Sequence, residues 1–206
     1  MVDTEPLSHR AWDELLRPFG HQLTNGIVQN IVGLRAEISA ALVRDAFELP
    51  LTVDEIIQRR GLIYDHIRAE GVAVMPGLMA LHGLIAQRNI PWAVATSSPR
   101  EHANEILTQL GLSPTRGVMA CGNEVANGKP APDIYLLAAK RLGVSPEQCL
   151  ALEDSGPGSK AAVAAGMLTA AIPNAHTKTA DFSHAHFVFN SLFDVIDNFD
   201  QFFGHI

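Results

Sequence analysis

The spacing of apolar positions changes partway along the chain. From Asp3 to Gly71 they recur with a helical period. Trp12, Leu15, Leu16 and Phe19 fall at helical spacing, which predicts a helix over about Pro6–Arg17, with Trp12 and Phe19 as core residues of the helical block. Ile31, Ala40, Ala41, Leu42, Val43, Ala46 and Phe47 give a second apolar stripe, broken at Leu49-Pro50. Thr52 then opens another helix through the capping box Thr52-x-x-Glu55. Nothing in this block reads as a strand. Near Val72 the texture becomes short apolar runs alternating with helical patterns. A helix is expected after the Met75-Pro76-Gly77 turn, through Arg88. Strands are expected at Pro91–Ala95, Val118–Cys121, Cys149–Leu152, Leu168–Ile172 and Phe187–Phe189. Between them Ser98-Pro99-x-Glu101 has the form of a capped helix start, and that helix stops at Gly111. Further helices run from Pro132-Asp133 to Leu142, from Gly156–Gly158 to Ala165, and over Leu192–Phe199. Such alternation implies an α/β fold: a parallel sheet with helices on both faces.

Composition narrows the class. A chain of 206 residues, 47% apolar and 18% charged, can build one domain or a core with a smaller insertion. Its net charge of −7 argues against a general attraction to nucleic acid or to an anionic membrane surface. The most apolar window, Gly71–Ala86, is interrupted by Pro76, Gly77 and His82, so no membrane span is expected. The start, MVDTEPLSHR, is too polar for a signal peptide. Cys121 and Cys149 are expected as small core residues in a reducing, cytoplasmic setting.

Candidate chemistry concentrates in Gly128–Gly166. Lys129 sits in the stiff loop Gly-Lys-Pro-Ala-Pro, and Glu153-Asp154 ends a predicted strand. Ligands of parallel α/β folds lie beyond the C-terminal ends of strands, where Thr96, Glu153 and Asp154 all fall. Adjacent carboxylates are costly to bury without a cation, and all-oxygen ligands suit Mg²⁺. Capping of the following helix is the competing role. Lys129 can hold a phosphate as a point charge, or be a solvated loop lysine. Thr96-Ser97 can donate to the same anion, or cap a helix. In chain order, the three elements describe a phosphate-plus-magnesium site. Gly156-x-Gly158-x-x-Ala161 also fits the dinucleotide fingerprint, but Glu153 and Asp154 would then face the pyrophosphate. His184-x-His186 is read as an exposed edge, since a third metal ligand is missing nearby. Arg35 is either a substrate contact or a solvated arginine.

VDTEPLSHRAW, AVATSSPR, GKPAPDIY and ALEDSGPGSKAAVAAGM together resemble the haloacid dehalogenase superfamily, in its sugar-phosphate phosphatase and β-phosphoglucomutase branch. The resemblance covers essentially the whole chain. It implies a Rossmann-like core, residues 73–206, with an inserted α-helical cap, residues 5–72. It also implies Mg²⁺-dependent phosphoryl transfer through an aspartyl-phosphate, on a small phosphorylated sugar or polyol. Thr96 and Lys129 would be catalytic; Thr96, Ser97, Lys129 and Arg35 would bind substrate; Glu153 and Asp154 would hold Mg²⁺. A monomer is expected.

One departure matters. The family's first motif, an apolar strand ending in the nucleophilic aspartate and its acid/base partner, would lie before Met1. Asp3 matches the later aspartate of the Asp-Thr-Glu turn instead. The first, central strand would be absent with it. Either the reading frame starts late, or the chain is a pseudoenzyme that binds a phosphorylated ligand; the first is favoured. As given, the chain is expected to show little phosphatase activity. In the mutase branch a histidine stands at the position of Ser8; with His9 one place late and Glu5-Pro6-Leu7 present, phosphatase is favoured over mutase.

Overall fold

A computed structural model describes residues 2–32, 34–114 and 117–204. The chain divides into two compact units, Val2–Ala73 and the part from Val74 onward.

The first unit is helical. Its helices are Glu5–Leu16 (α1), Asn25–Ile31 (α2), Ala36–Ala46 (α3) and Val53–Ala69 (α4). They bury Trp12, Leu16, Ile31, Ala40, Val43 and Ile56 together, with Phe19 packed alongside. Leu16, Val43 and Ile56 are wholly buried, each contributing about 1.5–3 kcal/mol from lost apolar exposure. The expected capping box forms: Thr52 Oγ1 accepts from the Glu55 N–H, and the Glu55 carboxylate accepts from the Thr52 N–H. Leu42 departs from its stripe and stands exposed, because Ala40 and Val43 already fill the inward face of α3. A two-residue strand, Val2–Asp3 (β1), also appears and pairs with Ala73–Val74 (β2). It is too short to leave an alternating pattern in the sequence.

The second unit alternates helix and strand: Leu78–Gln87 (α5), Val94–Thr96 (β3), Arg100–Gln109 (α6), Met119–Cys121 (β4), Asp133–Leu142 (α7), Leu150–Glu153 (β5), Gly156–Ala164 (α8), Leu168–Ala171 (β6) and Phe187–Val188 (β7). The single helix expected at the C-terminal end is two, Leu192–Asp197 (α9) and Phe199–Phe203 (α10). All pairings among β3–β7 are parallel. Side chains alternate between faces as strands require. Ala151 of β5 packs with α7 and α8, whereas Leu150 and Leu152 pack towards α5, α9 and α10. Met119 and Cys121 face α6, and Ala120 faces α7.

The sheet comes in two parts, β4-β3 and β7-β6-β5. Among the described residues β3 and β5 each pair on one side only. Their burial reflects this. All three residues of β4 are buried, yet all three of its partner β3 are half-exposed.

Candidate active site

The strand ends bring the sequence candidates together. β3 ends at Thr96 because the chain turns there: Thr96 Oγ1 accepts from the Ser98 N–H at 3.1 Å, and Pro99 cannot continue a ladder. That turn replaces the expected Ser98 cap, and α6 starts without a side-chain cap bond. Lys129 rises from the loop before α7. Its Nζ donates to the carbonyl of Ala95, next to Thr96, at 3.4 Å, and to Glu153 Oε1 at the end of β5. A single ammonium thus spans the ends of both sheet parts.

Glu153 is fully engaged. Oε1 accepts from Lys129 and from the Tyr135 hydroxyl; Oε2 accepts from the Ser155 N–H at 3.3 Å and from its hydroxyl at 3.0 Å. Burial pushes its carboxyl upward, but the Lys129 charge and these bonds outweigh that and hold it below the usual carboxylate range. Tyr135 was not singled out in the sequence. Its hydroxyl is pushed well above the usual phenol value by burial, then by the Glu153 charge, so it stays protonated and donating. Its ring also lies 5.3 Å from Lys129 Nζ. Its place within GKPAPDIY, one helical turn past the lysine loop, was the available signal.

Asp154 is placed differently. Burial raises its carboxyl above the usual range, and the neighbouring Glu153 charge adds to this. Its Oδ2 accepts from the side-chain amide of Asn174 at 3.2 Å. Asn174 is itself fixed by accepting from the N–H groups of His176 and Thr177, at 2.8 and 3.1 Å. A half-buried, half-compensated carboxylate beside a buried one suits a hard cation. Mg²⁺ normally takes one or two carboxylates and keeps its other ligands as water or phosphate oxygen, so Asp154 fits it, while Glu153 beside it is already taken up by Lys129, Tyr135 and Ser155. Among the described residues no cluster of three or more His, Cys, Asp or Glu could hold a metal.

Gly158 settles the glycine pattern after β5. A Cβ there would stand 2.1 Å from Glu153 Oε2, and its N–H is taken by Ser155 Oγ at 3.1 Å. The glycine makes room for a carboxylate, where a dinucleotide fold would make room for pyrophosphate. His184 and His186 are not a matched exposed pair. His184 is half-buried with Nε2 2.7 Å from Ser159 Oγ, while the exposed His186 accepts from the Thr169 N–H through Nδ1 at 3.1 Å. Arg35 belongs to the helical unit, where it precedes α3. Ser97 follows β3, its carbonyl pressed against Gly122.

The strand ends of this parallel α/β unit thus gather a lysine, a threonine and two carboxylates. The chain belongs to the haloacid dehalogenase-like hydrolases, whose sequence profile matches residues 1–166. It is 33% identical over 205 residues to a probable pseudouridine-5'-phosphatase of Drosophila melanogaster, covering 94% of this chain and 86% of that one. It is 36% identical over 195 residues to hexitol phosphatase A of Escherichia coli, covering 93% and 87%. Among solved structures, CbbY from Rhodobacter sphaeroides in complex with phosphate superposes with a TM-score of 0.80 at 27% identity, covering 95% and 91%. The Rossmann-like α/β fold is therefore that of the family. No described helix is long and apolar enough to cross a membrane.

Proposed function

We propose that this site binds the phosphoryl group of a small phosphorylated sugar or polyol, and that the chemistry is Mg²⁺-dependent phosphate ester hydrolysis. The observation that carries it is Lys129, whose ammonium joins the carbonyl beside Thr96 to the Glu153 carboxylate. The phosphatases named above support the substrate class. In this reading Lys129 offsets the charge of the phosphoryl oxygens. The Thr96 oxygen accepts from Ser98, and its hydroxyl hydrogen would donate to a phosphate oxygen, with Ser97 beside it. Asp154 would ligate Mg²⁺, with Glu153, the second metal candidate, adding its charge beside it; the ion would supply further charge neutralisation. Glu153 also anchors Lys129, and Asn174 orients Asp154. The helical unit would act as a cap that selects the substrate and excludes water, with Arg35 as its candidate contact. The phosphatase reading is preferred to a mutase. Ser8 accepts from Arg60 at 2.6 Å, and His9 pairs with Asp13 one turn away at 3.1 Å. The setting is cytoplasmic and the working form a monomer.

The family route runs through an aspartyl-phosphate. The carboxylate that the described contacts put at Lys129, Glu153, is already committed to four hydrogen bonds. The 206-residue polypeptide is therefore expected to bind phosphate but turn over ester substrates poorly. Titration with inorganic phosphate in Mg²⁺, beside a p-nitrophenyl phosphate assay, tests both parts. Saturable phosphate binding with turnover far below that of hexitol phosphatase A is expected. Absence of phosphate binding would sink the function, and turnover matching that relative would sink the claim of low activity.

A further inference from the structure

Just past the end of β4, one carboxylate ties three elements together. Glu124 closes the short 3-10 turn Gly122–Glu124 that follows β4. Arg100, the first residue of α6, donates to both its oxygens from Nη2, at 2.8 and 2.9 Å, and from Nε at 3.3 Å. Arg141, in the last turn of α7, donates to both from Nη1 and Nη2, at 2.9 and 3.2 Å. The Cys121 N–H adds a further bond at 2.8 Å. Both guanidiniums also donate to the Met119 carbonyl. The Glu124 side chain is 21% exposed and the two arginines 34%, so the node is partly shielded from water.

Its place in the chain gives it reach. Arg100 directly follows the Thr96–Pro99 turn, while Glu124 begins the loop that carries Lys129. The two loops also touch through backbone. The Gly122 N–H donates to the Ser98 carbonyl at 3.2 Å, and a Cβ on Gly122 would fall 2.1 Å from the Ser97 carbonyl oxygen. Only glycine allows that approach.

We infer that Glu124 and Gly122 are positioning residues for the Thr96–Ser97 phosphate loop: Glu124 clamps α6 to β4 and α7, and Gly122 lets the two backbones meet. The inference rests on the phosphate-binding reading above. Loss of the Glu124 charge leaves two guanidiniums crowded about one carbonyl, and Arg100 then pulls the turn that holds Thr96 and Ser97. A methyl at position 122 pushes Ser97 directly, by sterics instead of charge. Two unrelated perturbations thus converge on one loop.

The test is inorganic phosphate binding in Mg²⁺, by calorimetry at neutral pH, for wild type, Glu124→Gln and Gly122→Ala, with thermal melts alongside. Both variants are expected to weaken phosphate binding on the order of tenfold. A purely structural role would lower the melting temperature and leave phosphate affinity unchanged, and that result in the folded variants overturns the inference. Should Glu124→Gln fail to fold, Arg100→Lys, which keeps the charge but loses the two-pronged contact, carries the same expectation. A wild type that binds no phosphate overturns the functional reading, and this inference with it; binding by wild type with unaltered variants overturns this inference alone.

Discussion

Removing the ammonium of Lys129 would strand a carboxylate in a place with little water. Glu153 is 5% exposed and Lys129 8%. A buried pair broken from one side costs about 3–5 kcal/mol, because the surviving charge keeps its desolvation penalty without its partner. Lys129→Met is expected to lose stability on that scale. Adding Glu153→Gln removes the orphaned charge, so the double variant is expected to be more stable than the single one. Urea denaturation read at equal m-values measures both. Equal losses in single and double variants would mean that the pair is not coupled. At this scale the sequence was informative about identity and silent about partnership. Lys129, Glu153 and Asp154 stood out by their loop and strand-end positions. That Glu153 would be consumed by Lys129 and Tyr135 as well as by nearby Ser155, leaving Asp154 the less compensated of the two, follows mainly from contacts with residues 18 and 24 positions away.

Between residues and the whole lies the clamp joining α6, β4 and α7, which also sets a pH dependence. The hydrogen bonds from Arg141, and then from Arg100, lower the Glu124 carboxyl from 4.5 to about 2 against the opposing effect of burial. A carboxyl depressed in the fold binds its proton more readily when unfolded. Its stabilising contribution is therefore complete above about pH 4.5 and is lost as the pH falls towards 2. Urea midpoints followed from pH 6 to pH 2 are expected to fall more steeply for wild type than for Glu124→Gln. Parallel curves would remove Glu124 from the account. Elements with strong local signals were legible: the Thr52 capping box, α7 after Pro132-Asp133, and the strand before Glu153-Asp154 all form. Where a signal was local but a competing contact existed, the competitor won. Ser98 resembled a helix cap, yet its N–H serves the Thr96 turn and Pro99 precedes the helix. The last helix breaks at Asn198, whose side-chain amide bonds the Asp194 carbonyl. A propensity pattern does not register that interruption.

Across the molecule, protection should follow the sheet's division. β6 is paired on both sides, and Thr169, Ala170 and Ala171 are wholly buried. β3 pairs only with β4 and stands half-exposed. Hydrogen exchange is expected to be slowest in β6 and clearly faster in β3. Uniform protection across both would show that the two sheet parts behave as one. The α/β class and its parallel sense were readable from alternating elements, because each strand–helix repeat leaves a local trace. The division between β3 and β5 leaves no such trace, because strand order is set by contacts between segments far apart in the chain. Finally, the contact between Gly158 and Glu153 shapes how this chain can drift over generations. Every codon change away from glycine at 158 places a carbon 2.1 Å from the carboxylate oxygen. The two positions are thereby bound into one heritable unit. An exchange at 158 requires the Glu153 carboxylate to move off its partners or residue 153 to change with it.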